Sequence, residues 1–579
     1  MNDKKHVVEI LEEMALLLEL KGENPFKVRA YNNASRTLQG ISDDITTRAR
    51  EGGLTSIKGI GKTIAEVIKE VVTTGISTDL EALRASIPRD MIEMLKIPGL
   101  GPKKVHALWE KLGVATVREL EYACIENRLI GLEGFGRKTQ ENILRGIAML
   151  KKFSERHLLS EAKEEAENIY AHVKEFSGII RCEIAGSIRR WKETVKDIDM
   201  LVSAVESDRE NIMDMFIRLP QAEMTLAKGS TKSSIRLKSG INADLRIVTD
   251  EQFPYALHHF TGSKEHNVAM RGHAKKMDLK MNEYGLFKNE SMNIQCQTEA
   301  DIFDHLGMQY IHPELRENYG EIEAAQKREI PALIEWKDIR GLIHVHSHYS
   351  DGVNSIGEMA EAARTMGYEY MIVCDHSKKA SYANGLNEER ILQQHKEIEG
   401  LNRKLKDFKI FKGIECDILA DGSLDYTDEV LALFDVVIAS IHYKFTMTEN
   451  EATQRMIRAM HNPYVTMLGH PTGRLLLARE GYPIDMLRII QTSSELGVAL
   501  ELNANPHRLD IDWRLLRDAK KQGVKISINP DAHRIEGIKD IRYGVGIARK
   551  GWLSKEDVLN CFGADDLILF TKKRREMLA

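Results

Sequence analysis

The chain has 579 residues, of which 42% are hydrophobic and 29% charged, with a formal net charge of -5 at pH 7. That length is too great for a single hydrophobic core, so we expect several domains. The balanced charge excludes a globally basic nucleic-acid-binding protein, and any such role must come from local patches. The six scattered cysteines form no CxxC pair and no apolar run is long enough to span a bilayer, so we expect a cytoplasmic protein without a membrane segment.

The pattern in residues 1–152 predicts short helices separated by three similar glycine turns. Each turn has the form Gly-x-Gly, then a basic or polar position, then an amphipathic helix, as in "IPGLGPKKV". Backbone N–H groups at such a helix N-terminus form an anion site, and the basic side chains neutralise neighbouring phosphates. We therefore predict sequence-independent DNA binding. The predicted contact residues are Gly59, Gly61, Lys62, Gly99, Gly101, Lys103, Lys104, Gly134, Gly136, Arg137 and Lys138.

Strand and helix patterns are mixed in residues 153–315, and two of the predicted strands carry aspartates. Asp197 and Asp199 lie two apart in "DIDML", so both carboxylates project from one face of a strand. Asp244 in "NADLRIV" lies on a strand that can pair alongside. Three converging carboxylates repel each other unless cations neutralise them, and oxygen ligands suit Mg²⁺ or Mn²⁺. We expect two such ions here.

A phosphate-binding pattern precedes these aspartates. In "CEIAGSIRR", which we predict to be a strand, Gly186 allows close backbone approach, Ser187 supplies a hydroxyl and Arg190 supplies a guanidinium fork. A phosphate grip next to two-metal carboxylates indicates nucleotidyl transfer. One ion would activate an attacking 3′-hydroxyl, and the other would hold the triphosphate.

The pattern changes to alternating strands and helices in residues 338–579. The preceding segment, 316–337, is charged and contains one proline, so we predict a linker. Seven apolar strands each end abruptly in polar residues, which predicts a (βα) barrel with its chemistry at the carboxyl ends of the strands. The predicted fold class is therefore multidomain α+β and α/β, with a helical N-terminal domain.

Metal-type ligands follow these barrel strands. We predict nine of them: His344, His346, Asp351, His376, Glu415, His442, His470, Asp531 and His533. Up to three divalent ions can share such a set, with Glu415 as a bridge. Clustered ions acidify water and offset phosphoryl charge, which indicates phosphoester hydrolysis. Imidazole and carboxylate ligands suit Mn²⁺, Zn²⁺ or Fe. His348 is predicted to be a surface residue, and Glu501, Asn503 and His507 are predicted to support the site or the fold.

The motifs "IAGSIRRWKETVKDIDML", "ADLRIV" and "HHFTGSKEHNVAMRGHAKKMDLKMNEYGL" resemble a family X DNA polymerase of the DNA polymerase beta superfamily. The resemblance covers residues 1–315. It implies helix-hairpin-helix repeats in 1–152, a nucleotidyltransferase palm and thumb in 153–315, and metal binding by the three aspartates. It also implies that Arg156, Ser187 and Arg190 grip the triphosphate, that Gly262 and Asn267 line the sugar and base, and that Arg271 approaches the template strand.

The motifs "HVHSHYSDG", "CDHS", "GIECD", "SIHY", "GHP" and "NPDAH" resemble the polymerase and histidinol phosphatase (PHP) domain. That resemblance implies a distorted seven-stranded (βα)7 barrel. The activity it implies is that of a 3′–5′ exonuclease, together with 3′-phosphatase or abasic-site endonuclease action.

Two positions depart from the polymerase pattern. His259 stands where the family commonly has a tyrosine that helps to exclude ribonucleotides, and Val67 stands at the position of the Schiff-base lysine of the lyase activity.

The leading hypothesis is a gap-filling repair polymerase with an attached 3′-end nuclease. Its partners would be gapped or nicked DNA and deoxynucleoside triphosphates, and we expect a monomer. One alternative is a template-independent nucleotidyltransferase, which would not need three backbone-gripping repeats. A second makes the barrel a small-molecule phosphatase of the histidinol-phosphate type. A third is a non-enzymatic DNA-binding scaffold, which the complete ligand sets disfavour.

Overall fold

The computed structural model describes residues 4–40, 45–151, 155–288 and 292–578 and divides into two compact units, Met1–Leu150 and Lys151–Ala579. The domain boundary predicted between residues 152 and 153 lies outside the described residues. The helical character predicted for the first unit is confirmed. Its helices are α1 (Lys4–Leu20), α2 (Pro25–Gly40), α3 (Ile45–Glu51), α4 (Lys62–Thr74), α5 (Thr78–Ala85), α6 (Arg89–Met94), α7 (Pro102–Leu112), α8 (Val117–Ile125) and α9 (Arg137–Lys151).

Helix α1 supplies much of the core of the first unit. Its buried residues include Leu11, Met14 and Leu18, whose spacing places them on one face of a helix. The helices that follow the glycine turns also bury one apolar face, as Ile64, Ile68 and Val71 do in α4. These faces join α1 in one apolar cluster, which leaves the turns at the surface.

The second unit begins with a mixed sheet. Its first elements are β1 (His157–Leu158), α10 (Leu159–Val173), β2 (Ile179–Ile184), α11 (Gly186–Arg189), β3 (Thr194–Val195), β4 (Asp197–Ala204), α12 (Arg209–Ile217), β5 (Ala222–Lys228), β6 (Lys232–Leu237) and β7 (Asn242–Val248). Five strands form a sheet in the order β2-β4-β7-β6-β5, in which only the central pair, β4 and β7, is parallel within the described residues. Helices α10 and α12 cover the sheet with Ala166, Ile169 and Phe216.

Helices and a small sheet follow the palm-like sheet. They are α13 (Phe253–Thr261), α14 (Lys264–Lys276), β8 (Leu279–Asn282), β9 (Gly285–Lys288), β10 (Met292–Ile294), α15 (Glu299–His305) and α16 (Glu321–Lys327). Helix α16 lies in the segment 316–337 that we predicted to be a linker. That segment is packed: Ile322, Ala325 and Ile330 join an apolar cluster with α14 and α15. Two of its charged residues, Arg316 and Glu321, are buried in ion pairs, a feature that residue composition cannot reveal.

The last region is the predicted barrel. Its elements are β11 (Gly341–Val345), α17 (Ile356–Thr365), β12 (Tyr370–Val373), α18 (Glu388–Lys404), β13 (Lys409–Asp417), α19 (Asp428–Leu431), β14 (Val436–Ser440), α20 (Glu449–Met460), β15 (Val465–Leu468), α21 (Met486–Leu496), β16 (Ala499–Asn503), α22 (Trp513–Lys521), β17 (Ile526–Asn529), α23 (Ile541–Lys550) and α24 (Ala564–Leu578).

All seven strands are parallel and pair in chain order from β11 to β17. A parallel bridge between Val345 and Ala532 brings the first strand against the segment after the last, so the ring is nearly closed. Ile372, Ile438 and Met467 belong to a cluster that also includes Leu567 of α24. The seven-stranded barrel predicted from the strand pattern is confirmed. No helix in the described ranges combines the length and the apolar character needed to cross a bilayer.

Candidate polymerase and phosphoesterase sites

Three aspartates meet where β4 and β7 begin. Strand β4 starts at Asp197, and Asp199 lies opposite Asp244 of the parallel strand β7. Burial, together with the neighbouring Asp197 and Asp244 carboxylates, raises the pKa of Asp199 to about 6. Lys232 Nζ lies 2.6 Å from Asp244 Oδ2 and compensates part of the negative charge. The remaining crowding of carboxylates fits a site for hard divalent cations.

A cavity of about 410 Å³ opens beside Asp197 and Asp199. It is lined by Gly186, Ser187, Arg190, Asp197, Asp199, His259, Phe260, Gly262, Lys264, Asn267 and Arg271. Five of the six predicted nucleotide contacts therefore lie together, and so does the predicted template contact, Arg271. The sixth, Arg156, is not among the lining residues. Its Nη2 donates a hydrogen bond to the carbonyl of Thr194 at 2.7 Å.

The turn after strand β2 depends on Gly186. Its φ is +63°, and a Cβ at this position would lie 2.1 Å from Asp199 Oδ2, so only glycine fits. The left-handed conformation ends strand β2 at Ile184, and the chain turns once as α11. The strand predicted over "CEIAGSIRR" is therefore wrong in its second half. The turn carries Ser187 and Arg190 to the wall of the cavity.

The nine predicted barrel ligands converge at the carboxyl end of the barrel, around Glu415 of β13. Ring nitrogens of five histidines lie within 3.8 Å of its carboxylate oxygens. The distances are 2.8 Å to His376 Nδ1, 2.9 Å to His470 Nε2, 3.1 Å to His442 Nε2, 3.5 Å to His344 Nε2 and 3.8 Å to His346 Nε2. Burial alone would raise the pKa of Glu415, but the surrounding histidines hold it well below its usual range.

Two aspartates complete the cluster. Asp351 Oδ1 lies 3.4 Å from His533 Nε2, and Asp531 Oδ1 lies 3.1 Å from His346 Nε2. Among the nine predicted barrel ligands, atoms close enough to share an ion form three overlapping groups. They are His346, Asp351, His376 and His533; His344, His346 and Asp531; and His376, Glu415 and His442. His346 and His376 each belong to two of these groups, so the groups form one continuous site.

Several buried atoms in this cluster lack hydrogen bonds within the described residues. They are His344 Nε2, His346 Nδ1, His376 Nδ1, Glu415 Oε2 and Asp351 Oδ2. Although some of these atoms lie close to an opposite charge, buried polar atoms without hydrogen bonds cost free energy, so their concentration at one place needs an explanation. Imidazole nitrogens and carboxylate oxygens are ligands for Mn²⁺, Zn²⁺ or Fe, and these residues therefore fit such ions.

The backbone is strained at three of the nine positions. The φ angles are +64° at His344, +27° at His470 and +52° at Asp531. Non-glycine residues adopt this region rarely, and such strain is typical of functional sites. The register between β11 and β12 shifts between Leu342 and Val345, on either side of His344. A bulge thus re-aims this histidine, which simple alternation along a strand does not predict.

Further residues hold the ligands in orientation. His344 Nδ1 lies 2.5 Å from Glu501 Oε1, and Asn503 Nδ2 donates a hydrogen bond to Asp531 Oδ2 at 3.0 Å. These contacts agree with the supporting role predicted for both residues. His442 Nδ1 lies 3.2 Å from Asp417 Oδ1, a partner that we did not predict. Asp417 lies two residues after Glu415 on β13, so strand alternation could have identified it. His348 is exposed, as expected.

The three glycine turns share one geometry. The first glycine of each has a positive φ: +98° at Gly59, +86° at Gly99 and +83° at Gly134. The second glycine directly precedes a helix, α4, α7 or α9. A Cβ on Gly61, Gly101 or Gly136 would meet nothing within 4 Å, so the backbone there is open to a ligand.

The basic residues after these glycines are mostly at the surface. Lys62, Lys103, Arg137 and Lys138 are exposed. Lys104 instead donates to the carbonyl of Gly99 at 3.1 Å. These exposed cations at helix N-termini suit contact with a phosphate backbone.

Two departures from the polymerase pattern can be placed. His259 lines the cavity beside the aspartates, next to Phe260. Val67 is buried in the core of the first unit, where α4 packs. A buried valine supplies no amine, so the imine chemistry expected of a lysine at this position is absent from Val67.

Family models match four parts of the chain. A helix-hairpin-helix domain matches residues 2–77, and a SAM-like helix-hairpin-helix tandem matches 91–148. The DNA polymerase beta thumb matches 256–317, and the PHP domain matches 343–530. The alignment with the solved structure of a ternary complex of Leishmania infantum polymerase beta covers 40% of this chain and 100% of the polymerase beta chain, with 23% identity and a TM-score of 0.26.

Two relatives show which regions are shared. A "Probable phosphatase" of Thermoanaerobacter sp. (strain X514) is 26% identical over 38% of this chain and 90% of its own length. The "DNA polymerase/3'-5' exonuclease PolX" of Bacillus subtilis (strain 168) is 42% identical over 573 residues, 98% of this chain and 99% of the relative. The chain therefore belongs to family X of the DNA polymerases, with helix-hairpin-helix repeats, a polymerase beta thumb and a C-terminal PHP domain.

Proposed function

We propose that this chain fills short gaps in DNA during repair and trims 3′ ends with its barrel. One observation carries the proposal: one compact unit holds two separate ligand sets of different chemistry. A carboxylate set borders a cavity of about 410 Å³, and an imidazole–carboxylate set lies in the barrel. The name of the Bacillus subtilis relative combines the same two activities.

In the palm, Asp197, Asp199 and Asp244 would hold two Mg²⁺ or Mn²⁺ ions. When bound, these ions lower the pKa of the attacking 3′-hydroxyl and offset charge on the triphosphate. Ser187 and Arg190 would grip the phosphates from the cavity wall. The remaining lining residues, Gly262, Asn267 and Arg271, would contact the sugar, the base and the template strand.

In the barrel, the nine ligands would hold up to three Mn²⁺, Zn²⁺ or Fe ions. When bound, these ions acidify a water molecule and withdraw charge from a phosphodiester. Glu501 would fix one tautomer of His344: a proton held on Nδ1 and shared with Glu501 leaves Nε2 as a ligand. The resulting hydrolysis would remove nucleotides from a DNA 3′ end, and the same chemistry would act on 3′-phosphates and abasic sites.

The first unit would anchor gapped or nicked DNA through its three glycine turns. Each turn offers helix N–H groups and at least one exposed basic side chain. Such contacts hold the phosphate backbone without reading base sequence, which suits repair at arbitrary positions.

The assignment of extension to the palm and of end trimming to the barrel is tested with a labelled, gapped duplex, Mn²⁺ and all four deoxynucleotides. Asp199→Ala should abolish extension and keep end trimming, and His344→Ala should do the reverse. His348→Ala is the matched control, because this histidine is exposed on the loop after β11 and should keep both activities. If either substitution removes both activities together, the proposed separation is wrong. Equal extension of a primer without template would favour the template-independent alternative.

A second candidate function for the barrel is small-molecule phosphatase activity. It is favoured by the Thermoanaerobacter relative, which is named "Probable phosphatase" and aligns over 90% of its length. The wild-type chain is given histidinol phosphate or a 3′-labelled duplex under the same conditions. Phosphate release at a rate comparable to nucleotide release would support this candidate, and a much faster release from DNA would exclude it.

A further inference from the structure

The barrel supports the segment that joins the phosphate loop to the metal-type aspartates. The Trp191 ring lies edge-on to Tyr543 of α23, with 6.3 Å between ring centroids. A Cβ on Gly546, in the same helix, would lie 2.1 Å from the Trp191 ring, so the two surfaces are in close contact. Glu193 Oε1 lies 2.7 Å from Arg474 Nη2. The backbone between α11 and β4 therefore rests on the barrel.

One barrel residue reaches further toward the palm cavity. Lys550, the last residue of α23, is completely buried. Its Nζ donates hydrogen bonds to Glu317 Oε1 at 2.7 Å, to the carbonyl of Arg190 at 2.9 Å and to the carbonyl of Glu314 at 3.2 Å. All three donor positions of the ammonium are thus used at the boundary with the polymerase region.

Glu317 connects this lysine to the cavity wall. Its Oε1 accepts a hydrogen bond from Arg190 Nε at 3.1 Å, and its Oε2 lies 3.4 Å from Lys192 Nζ. Arg190 Nη1 donates to the carbonyl of Thr261. Nη2 of Arg190 makes no hydrogen bond within the described residues, so it is the guanidinium nitrogen left to meet a ligand in the cavity.

We propose that Glu317 and Lys550 are positioning residues for nucleotide binding, so that the barrel completes the triphosphate grip of the polymerase. The inference rests on the proposed role of Arg190. Glu317 fixes the guanidinium through Nε, and Lys550 balances the carboxylate. Without Lys550, the buried carboxylate would have one cation fewer and would draw Arg190 away from the triphosphate. Removing one partner of a buried ion pair destabilises a protein more than removing both, because it leaves a buried charge unpaired.

The test uses the full chain with Lys550→Met, which keeps the side-chain length and removes the charge. The KM for the deoxynucleotide in single-nucleotide gap filling should rise about tenfold, with kcat within about twofold of wild type, because a charge-assisted contact is weakened. End trimming by the barrel should not change. The matched control is Arg549→Met, which removes a neighbouring ion pair with Glu314 that does not involve Glu317. It should leave the KM unchanged.

A second variant separates positioning from damage to the fold. Lys550→Met combined with Glu317→Gln removes both charges and keeps an acceptor for Arg190 Nε, so the KM should return to within about threefold of wild type. Melting temperatures are recorded for every variant. The inference is overturned if Lys550→Met leaves the KM unchanged, or if the double variant binds nucleotide no better than Lys550→Met.

Arg190→Ala separates this inference from the proposed function. It should raise the KM more than Lys550→Met does, by about 100-fold. If Arg190→Ala leaves the KM unchanged, the proposed role of Arg190 fails, and the inference fails with it. If Arg190→Ala raises the KM and Lys550→Met does not, only the inference fails.

Discussion

The palm and barrel sites gather metal-type ligands in two different ways. The palm places three carboxylates on two neighbouring strands, partly exposed and beside an open cavity. The barrel places six histidines and three acids at the ends of different strands, and most of these side chains are buried. Open oxygen ligands suit ions that arrive with a triphosphate. Buried mixed ligands suit ions that stay with the protein.

The two sites also differ in how the backbone aims the ligands. In the palm, the aspartates lie on two paired strands. Regular strand alternation and one glycine are therefore enough to aim their carboxylates at one place. In the barrel, His344, His470 and Asp531 adopt left-handed conformations, and carboxylates such as Glu501 hold the imidazoles. A substitution that fills the space beside the palm aspartates should therefore largely abolish gap filling. Loss of one supporting contact in the barrel should instead lower metal affinity and end trimming only in part.

The largest effect is expected for Gly186→Ala in the palm. The added Cβ would collide with Asp199, 2.1 Å away, in a backbone conformation that alanine rarely adopts. Displacement of a metal-type aspartate by even 1 Å can cost about 100-fold in rate, so gap filling should fall by at least that factor. End trimming, measured in the same samples, should remain at the wild-type rate.

The control for this change is Gly400→Ala, in helix α18 of the barrel. The nearest atom to a Cβ there is Arg403 Nη2 at 3.8 Å, so the substitution fits. It should keep both activities and stabilise the protein by about 0.4–1 kcal/mol, seen as a higher melting temperature. If Gly186→Ala retains gap filling, the aspartates do not depend on the close approach of this loop.

An intermediate effect is expected for Glu501→Gln in the barrel. The amide still accepts a hydrogen bond from His344 but carries no charge to orient and strengthen the imidazole as a ligand. Loss of such a supporting group typically costs about 10- to 100-fold in metal affinity, and end trimming should fall accordingly. Bound metal is measured by elemental analysis after dialysis. Glu495→Gln, at an exposed position on α21, should change neither quantity.

Much of the barrel could be predicted because its signal is local. Buried parallel strands are short apolar runs, and most ligands lie at or just after the end of such a run, so the order of motifs already gives the order around the ring. The bulge at His344 could not be predicted, because it depends on the register between β11 and β12. The role of Asp417 could have been predicted from its spacing to Glu415, which places both on one face of β13.

The packing of residues 316–337 could not be predicted, because it depends on a few charged side chains that pair with residues outside the segment. Arg316 Nη1 lies 2.5 Å from Glu299 Oε1, and Glu321 Oε1 lies 2.8 Å from His266 Nδ1, all of them buried. In the sequence these residues resemble a solvated linker. Arg156, which the family pattern assigns to the triphosphate, donates hydrogen bonds to Thr194, and its role at the triphosphate stays a prediction.

The smallest effect concerns the pH dependence of nucleotide binding, through Lys550. Burial lowers the pKa of this lysine to about 8, against the opposing effect of Glu317, and the charges of Lys192 and Arg190 act in the same direction as burial. The Trp513 ring, 4.8 Å from Nζ, adds no titrating group. The ammonium is therefore expected to lose its proton between pH 7 and pH 9.

In that window Glu317 loses its balancing charge, so the KM for the deoxynucleotide should rise about fivefold from pH 7 to pH 9 in the wild type. In Lys550→Met it should be high and flat. The stability of the wild type, in contrast, should increase with pH. The pKa of Lys550 is below its ordinary value of 10.5, so the unfolded chain binds more protons between about pH 8 and 10.5, and the contribution of Lys550 to the free energy of unfolding rises with pH. If the KM rises with pH while the protein becomes more stable, the weaker nucleotide binding comes from the titration of Lys550 and not from general damage to the fold. If the KM rises in parallel in the wild type and in Lys550→Met, the effect belongs to another group.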